Sequence, residues 1–104
     1  MKTYFATRND SKETQVIIKG GGLSKFLVTK GANKITTYDW GSNSDQSLQL
    51  AYDMLYDARK DKDLNIANYC WYFFFKDFIL PADKLGLMVT ESSINEWLIN
   101  NKLV

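Results

Sequence analysis

The chain has 104 residues, 45% of them hydrophobic and 14% aromatic, which suits one domain with one sizeable core. It contains no histidine, so Ser-His and Cys-His nucleophiles and the usual zinc sites are excluded, and its one cysteine cannot form an internal disulfide. The net charge is +1, far from the marked basicity of most nucleic-acid-binding domains, although residues 1–39 hold seven Lys/Arg against three Asp/Glu and residues 40–104 hold six against nine.

Met1–Phe5 carries one positive charge and runs into Ala6-Thr7-Arg8-Asn9-Asp10, so no secretory signal is expected. Thr3–Thr7 and Gln15–Lys19 are β-rich runs separated by polar residues, which predicts a hairpin with a loop longer than two residues. Gly20-Gly21-Gly22 lacks the Gly-Lys-Ser/Thr of a phosphate loop and predicts a turn. Phe26-Leu27-Val28 and Ile35-Thr36-Thr37-Tyr38 predict a second strand pair across Lys30–Asn33.

From Ser44 the period becomes helical. Leu48, Ala51, Tyr52 and Leu55 form one face, and Gln49, Asp53, Tyr56, Asp57 and Lys60 the expected wetter side. A second helix begins behind Asp63 as candidate N-cap, with Asn65, Asn68, Tyr72 and Lys76 as a narrow polar stripe; the remaining residues, among them Ile66, Ala67, Cys70, Trp71 and Phe73–Phe75, predict burial on most sides. Pro81 should end it. The longest apolar run, Cys70–Phe75, falls well short of the roughly 20 residues of a membrane-spanning helix, so a soluble, cytoplasmic protein is expected. Leu87-Met88-Val89 predicts an edge strand, and Thr90-Glu91 caps a last helix carrying Ile94, Trp97 and Leu98 on one face. The resulting expectation is a single α+β domain over residues 1–104, a small antiparallel N-terminal sheet packed by about three C-terminal helices.

Chemistry-bearing residues are sparse. Cys70 lies in an aromatic helix, where a thiol behaves as a small hydrophobe. Asp53 and Asp57 stand four apart on one helix, but solvation and capping account for them and for Asp61 and Asp63, since Asp61-Lys62-Asp63 lacks the glycine and distal Glu of a calcium loop. The turn Trp40–Ala51 admits two readings. As a helix start, Asn43 is the N-cap, Gln46 reaches back from N3, and Asp45 meets the positive end of the dipole. As a recognition turn it offers free backbone N–H groups to an anion, which Asp45 would repel.

Tyr38-x-Trp40-Gly41, Gln49-Leu50-Ala51, Phe75-Lys76-x-x-x-Leu80-Pro81 and Val89-Thr90-x-x-x-Ile94-x-x-Trp97-Leu98 resemble a domain family of unknown function found in small bacterial and phage proteins. The resemblance covers most of the chain and implies a compact domain without an assigned activity. In that family the stretch after Trp-Gly is rich in glycine and ends Ser-Gly-Pro; here residues 42–47 contain no glycine, so side chains crowd any approach to the backbone.

Two functions follow. The first is a small non-catalytic interaction protein, a phage or mobile-element accessory protein or inhibitor acting by binding a protein partner, with Trp40, Gly41, Ser42, Ser44 and Asp45 as candidate contacts. A homo-oligomer through surplus aromatic surface is its milder form. The alternative is a weak nucleic-acid-binding module in which Lys19, Lys25, Lys30 and Lys34 meet phosphates and Tyr4, Phe5, Phe26 or Tyr38 stack on bases. No catalytic residue, metal or cofactor is expected in either case.

Overall fold

The computed structural model describes residues 1–11, 13–28, 37–63 and 65–104. Three strands come first, β1 (Thr3–Arg8), β2 (Thr14–Gly20) and β3 (Leu23–Phe26), followed by the helices α1 (Asp45–Arg59) and α2 (Ile66–Phe74). A π-helical turn over Phe75–Ile79 extends α2, and β4 (Gly86–Thr90) and α3 (Glu91–Asn100) complete an α+β fold. The strands form one antiparallel sheet in the order β3-β2-β1-β4.

The period-2 pattern of the strands assigns the two faces of the sheet. Tyr4, Ala6, Val16, Ile18 and Val89 are buried beneath the helices. On the other face Met88 pairs with Phe5, Phe5 with Ile17, and Ile17 with Phe26, making one apolar row across all the strands. β2 and β3 are joined by Gly21 and Gly22, at φ +59° and +80°, the left-handed pair that a two-residue hairpin turn requires.

Two expected boundaries move. The third strand starts earlier than Phe26 because the glycine turn feeds directly into Leu23; Leu27 still donates to the Val16 carbonyl at 2.9 Å. Of the expected strand Ile35–Tyr38, Ile35 and Thr36 lie outside the described residues, as do Lys30–Asn33 and Lys34. Thr37 and Tyr38 are not strand, and the Tyr38 carbonyl instead accepts from the Thr14 hydroxyl.

α1 crosses the inner face of the sheet with Leu50, Ala51, Met54 and Leu55 fully buried. Its expected wet side is largely not wet: Gln49, Asp53 and Asp57 are buried as well. Partners from distant segments overturn that expectation, and they are described below. The π-helical turn closes with Leu80 N–H donating to Phe75 C=O at 2.8 Å, and the wider turn lets Phe74, Phe75 and Ile79 all reach the core before Pro81 ends the helix. α3 seals the open end of the core with Ile94 and Leu98. Trp97 stays partly exposed, edge-on to Phe74 and Phe78 with its indole N–H on Asp77 at 2.7 Å.

Candidate functional site

The turn before α1 is built from the inside out. Trp40 is fully buried, with no exposed edge; its indole N–H donates to the Asp83 carbonyl at 2.9 Å and the Arg8 guanidinium stacks on its ring at 4.3 Å. Gly41 has φ +72° and donates its N–H to Ile79 C=O at 2.8 Å, and a Cβ there would lie 2.7 Å from the Ala82 carbonyl. Trp40-Gly41 therefore clasps the end of the π-helical turn and the loop that follows it, which accounts for an aromatic-glycine pair without a ligand.

The cap of α1 is Ser44, not Asn43. Ser44 has extended backbone angles and its hydroxyl accepts from Ser47 N–H at 3.2 Å, which puts Ser47 rather than Gln46 at N3. Ser42, Ser44 and Ser47 share hydroxyl contacts of 3.1 Å, and Ser42 also donates to Asp39 at 2.8 Å. Arg8 forms an ion pair with Asp39. Burial pushes the Asp39 carboxyl up, but hydrogen bonds from Arg8, Ser42 and the Trp40 backbone outweigh it and hold the group below the ordinary carboxylate range. A shallow hollow of about 830 Å³ opens beside this turn, lined by Arg8, Glu13, Asp39, Gln46 and Lys84 among others. Of the candidate contacts, Asp45 is exposed, Gly41, Ser42 and Ser44 are half-buried, and Trp40 is out of reach.

The basic half divides differently. Lys19 and Lys25 are exposed, with Lys19 Nζ 5.2 Å from the Phe5 ring centre, whereas Lys30 and Lys34 lie outside the described residues. Phe5 and Phe26 face outward on the sheet. Tyr4 and Tyr38 do not, and cannot stack on a base: both are buried, their hydroxyls donating to Asp57 at 2.7 Å and Asp53 at 2.6 Å.

Those two carboxylates are structural. Asp53 also accepts from Gln49 at 2.8 Å. Asp57 is paired with Lys2 and Lys60, each at 3.2 Å. Burial raises the Asp57 carboxyl, yet the Tyr4 and Lys2 hydrogen bonds and the Lys2 charge together hold it below its ordinary value. A carboxylate stabilised as the anion is poorly suited to general acid work. Burial, helped by the Asp63 charge, pushes the Cys70 thiol up, which disfavours the nucleophilic thiolate. Among the described residues no group of three His, Cys, Asp or Glu side chains is placed to hold a metal ion. No helix among them is long and apolar enough to cross a membrane.

What the sequence reading missed lies on α2. Phe74 and Phe75 are buried, but Trp71 is only partly so, and Tyr69, Tyr72 and Phe73 are 76%, 51% and 58% exposed. The expected polar stripe Asn65-Asn68-Tyr72-Lys76 is real but wider than drawn. Tyr69 and Phe73 stand four residues beyond Asn65 and Tyr69 respectively, on the same helical face, and that spacing was the available signal. The result is an aromatic ridge continued by Leu80, with Lys76 Nζ 6.0 Å from the Tyr72 ring centre. No family model, curated protein or solved structure matches the chain.

Proposed function

We propose that this is a small non-catalytic interaction protein, an accessory protein or inhibitor, that binds a protein partner through the ridge of Tyr69, Tyr72 and Phe73. The observation that carries this reading is the exposure of three neighbouring aromatic side chains on a helix whose opposite side is fully used by the core. Burying one such ring against an apolar cleft of a partner is worth about 1.5–3 kcal/mol, and aromatic anchors of this kind dominate many interfaces. The chemistry also supports a non-catalytic role: there is no histidine, Cys70 is buried, and Asp39 and Asp57 are engaged by cations. The test is a photo-cross-linking residue at position 73, with position 15 on the outer sheet face as control. A single host protein captured from position 73 and lost in Tyr69→Ala with an unchanged melting temperature supports the reading. Equal capture from both positions, or none from position 73, defeats it.

A second reading, weak binding of single-stranded nucleic acid, is favoured by Lys19 lying against Phe5 with Phe26 on the same face. Its mark is a steep loss of oligonucleotide affinity with added salt, abolished in Phe5→Ala.

A further inference from the structure

The antiparallel ladder identifies which backbone groups of β4 are unused. Glu91 N–H donates to the Lys2 carbonyl at 2.9 Å, and the register pairs Thr3 with Thr90. Hydrogen-bonded and non-hydrogen-bonded pairs alternate along such a ladder, so Val89 and Leu87 spend their N–H and C=O groups on β1. Those of Met88, the Thr90 N–H and the Gly86 C=O point away from the sheet, on an edge with no further strand among the described residues. Two groups there are occupied: Gly86 N–H donates to Asp83 C=O at 3.2 Å, and Thr90 C=O accepts from the Ser93 hydroxyl at 2.7 Å.

Among the described residues, three devices that normally blunt a sheet edge, charge, proline and a bulge, are missing from it. Gly86-Leu87-Met88-Val89-Thr90 holds no charge and no proline, and its register with β1 is unbroken, without a bulge. Met88 is 63% exposed on the outer face and neighbouring Leu85 is 85% exposed.

We infer that the β4 edge is a docking surface for a second copy of this chain, β4 pairing antiparallel with β4 about a two-fold axis at Met88. The edge is self-complementary in three respects. The two Met88 residues exchange N–H and C=O, and each Thr90 N–H donates to the Gly86 carbonyl of the other chain. The outer-face row Phe26-Ile17-Phe5-Met88 meets its own copy at Met88, so the apolar row runs unbroken across two joined four-stranded sheets. Antiparallel pairing also brings the Lys84 end of one strand against the Glu91 end of the other, opposite charges at both ends. An isologous contact of this kind closes on itself and leaves the α2 ridge free.

Sedimentation equilibrium over a wide concentration range tests the inference on the full chain. The wild type is expected to approach twice the 12.0 kDa chain mass, and Met88→Lys, which sets like charges at the axis, to raise the dimer dissociation constant by about tenfold or more. Met88→Thr, a β-favouring residue without charge, should keep the dimer, and so should Phe73→Asp on the ridge. Amide exchange in the wild type gives an independent readout: Met88 and Thr90 should slow as concentration rises. This readout stands even if Met88→Lys fails to fold. A monomer at every concentration, a dimer indifferent to Met88→Lys in the folded variant, or a dimer abolished by Phe73→Asp would overturn the inference.

Discussion

Single side chains carry disproportionate weight where α1 meets the strands. Tyr4 and Asp57 share a hydrogen bond across 53 residues of sequence, and the two groups titrate in opposite senses. The Asp57 carboxyl is lowered on folding, so its contribution is complete above the ordinary carboxylate value of about 4 and is lost as pH falls through the folded value. Burial and the neighbouring Asp57 anion raise the Tyr4 phenol; its contribution is complete below about 10 and is lost as pH climbs beyond that. Tyr4→Phe keeps the ring and removes the hydroxyl, so at neutral pH it should cost about 1.5–3 kcal/mol, the range for a hydrogen bond to a charged group. In urea unfolding followed across pH, the gap between variant and wild type should narrow on the alkaline side. At the start of α1, Ser44→Ala should cost about 0.5–2 kcal/mol, whereas Asn43→Ala, an exposed position outside the cap, should stay within about 0.5 kcal/mol; thermal melts of the two variants distinguish the caps.

At the scale of elements, the joint between the Trp40-Gly41 turn and the π-helical turn is the tightest. Gly41→Ala meets two obstacles, a left-handed backbone and a Cβ 2.7 Å from the Ala82 carbonyl, and should lose more than about 1 kcal/mol in equilibrium unfolding. If stability is unchanged, the turn is not a clasp. Elements whose pattern is local were legible in the sequence: the alternation of β1 and β2, the short β4 run, and Thr90, whose hydroxyl accepts from Ser93 N–H at 3.1 Å. On α1 the expected face holds for Ala51 and Leu55, whereas Leu48 and Tyr52 are half-buried at its margin and Leu50 and Met54 take the core. Those whose cause lies elsewhere in the chain were not. Nothing near Asp53 or Asp57 announces burial, because the hydroxyls that make it tolerable come from Tyr38 and Tyr4. The ridge of α2 was hidden for a different reason: the ring residues 73, 74 and 75 are chemically alike, and only the helical phase separates the exposed one from the two in the core. One residue of phase also separates Ser44 from Asn43 as the cap, both of them residues that suit that position.

For the molecule as a whole, the sheet joins segments of very unequal separation. β1 meets β2 through a short loop, as β2 meets β3 through two glycines, but β1 meets β4 only after α1, α2 and the π-helical turn have intervened, Thr3 lying against Thr90. Closing so long a loop costs entropy that the nearer pairings do not face, and contacts of high sequence separation slow folding. The chain thus has a natural seam. β4 and α3 form the C-terminal unit that completes the fold, held on one side by β1 and below by Ile94 and Leu98 in the core. Sub-global opening should begin along that seam, so native-state exchange at low denaturant should release the amides of Leu87 and Val89 before those of Gln15 and Ile17, which face β1 from the other side. Uniform release of all of them at the global unfolding free energy would mean that the seam is silent and the sheet opens as one body. If it does open there, β1 is left with a bare edge of its own, and the protein's most exposed moment is the brief one in which its central strand is looking for a neighbour.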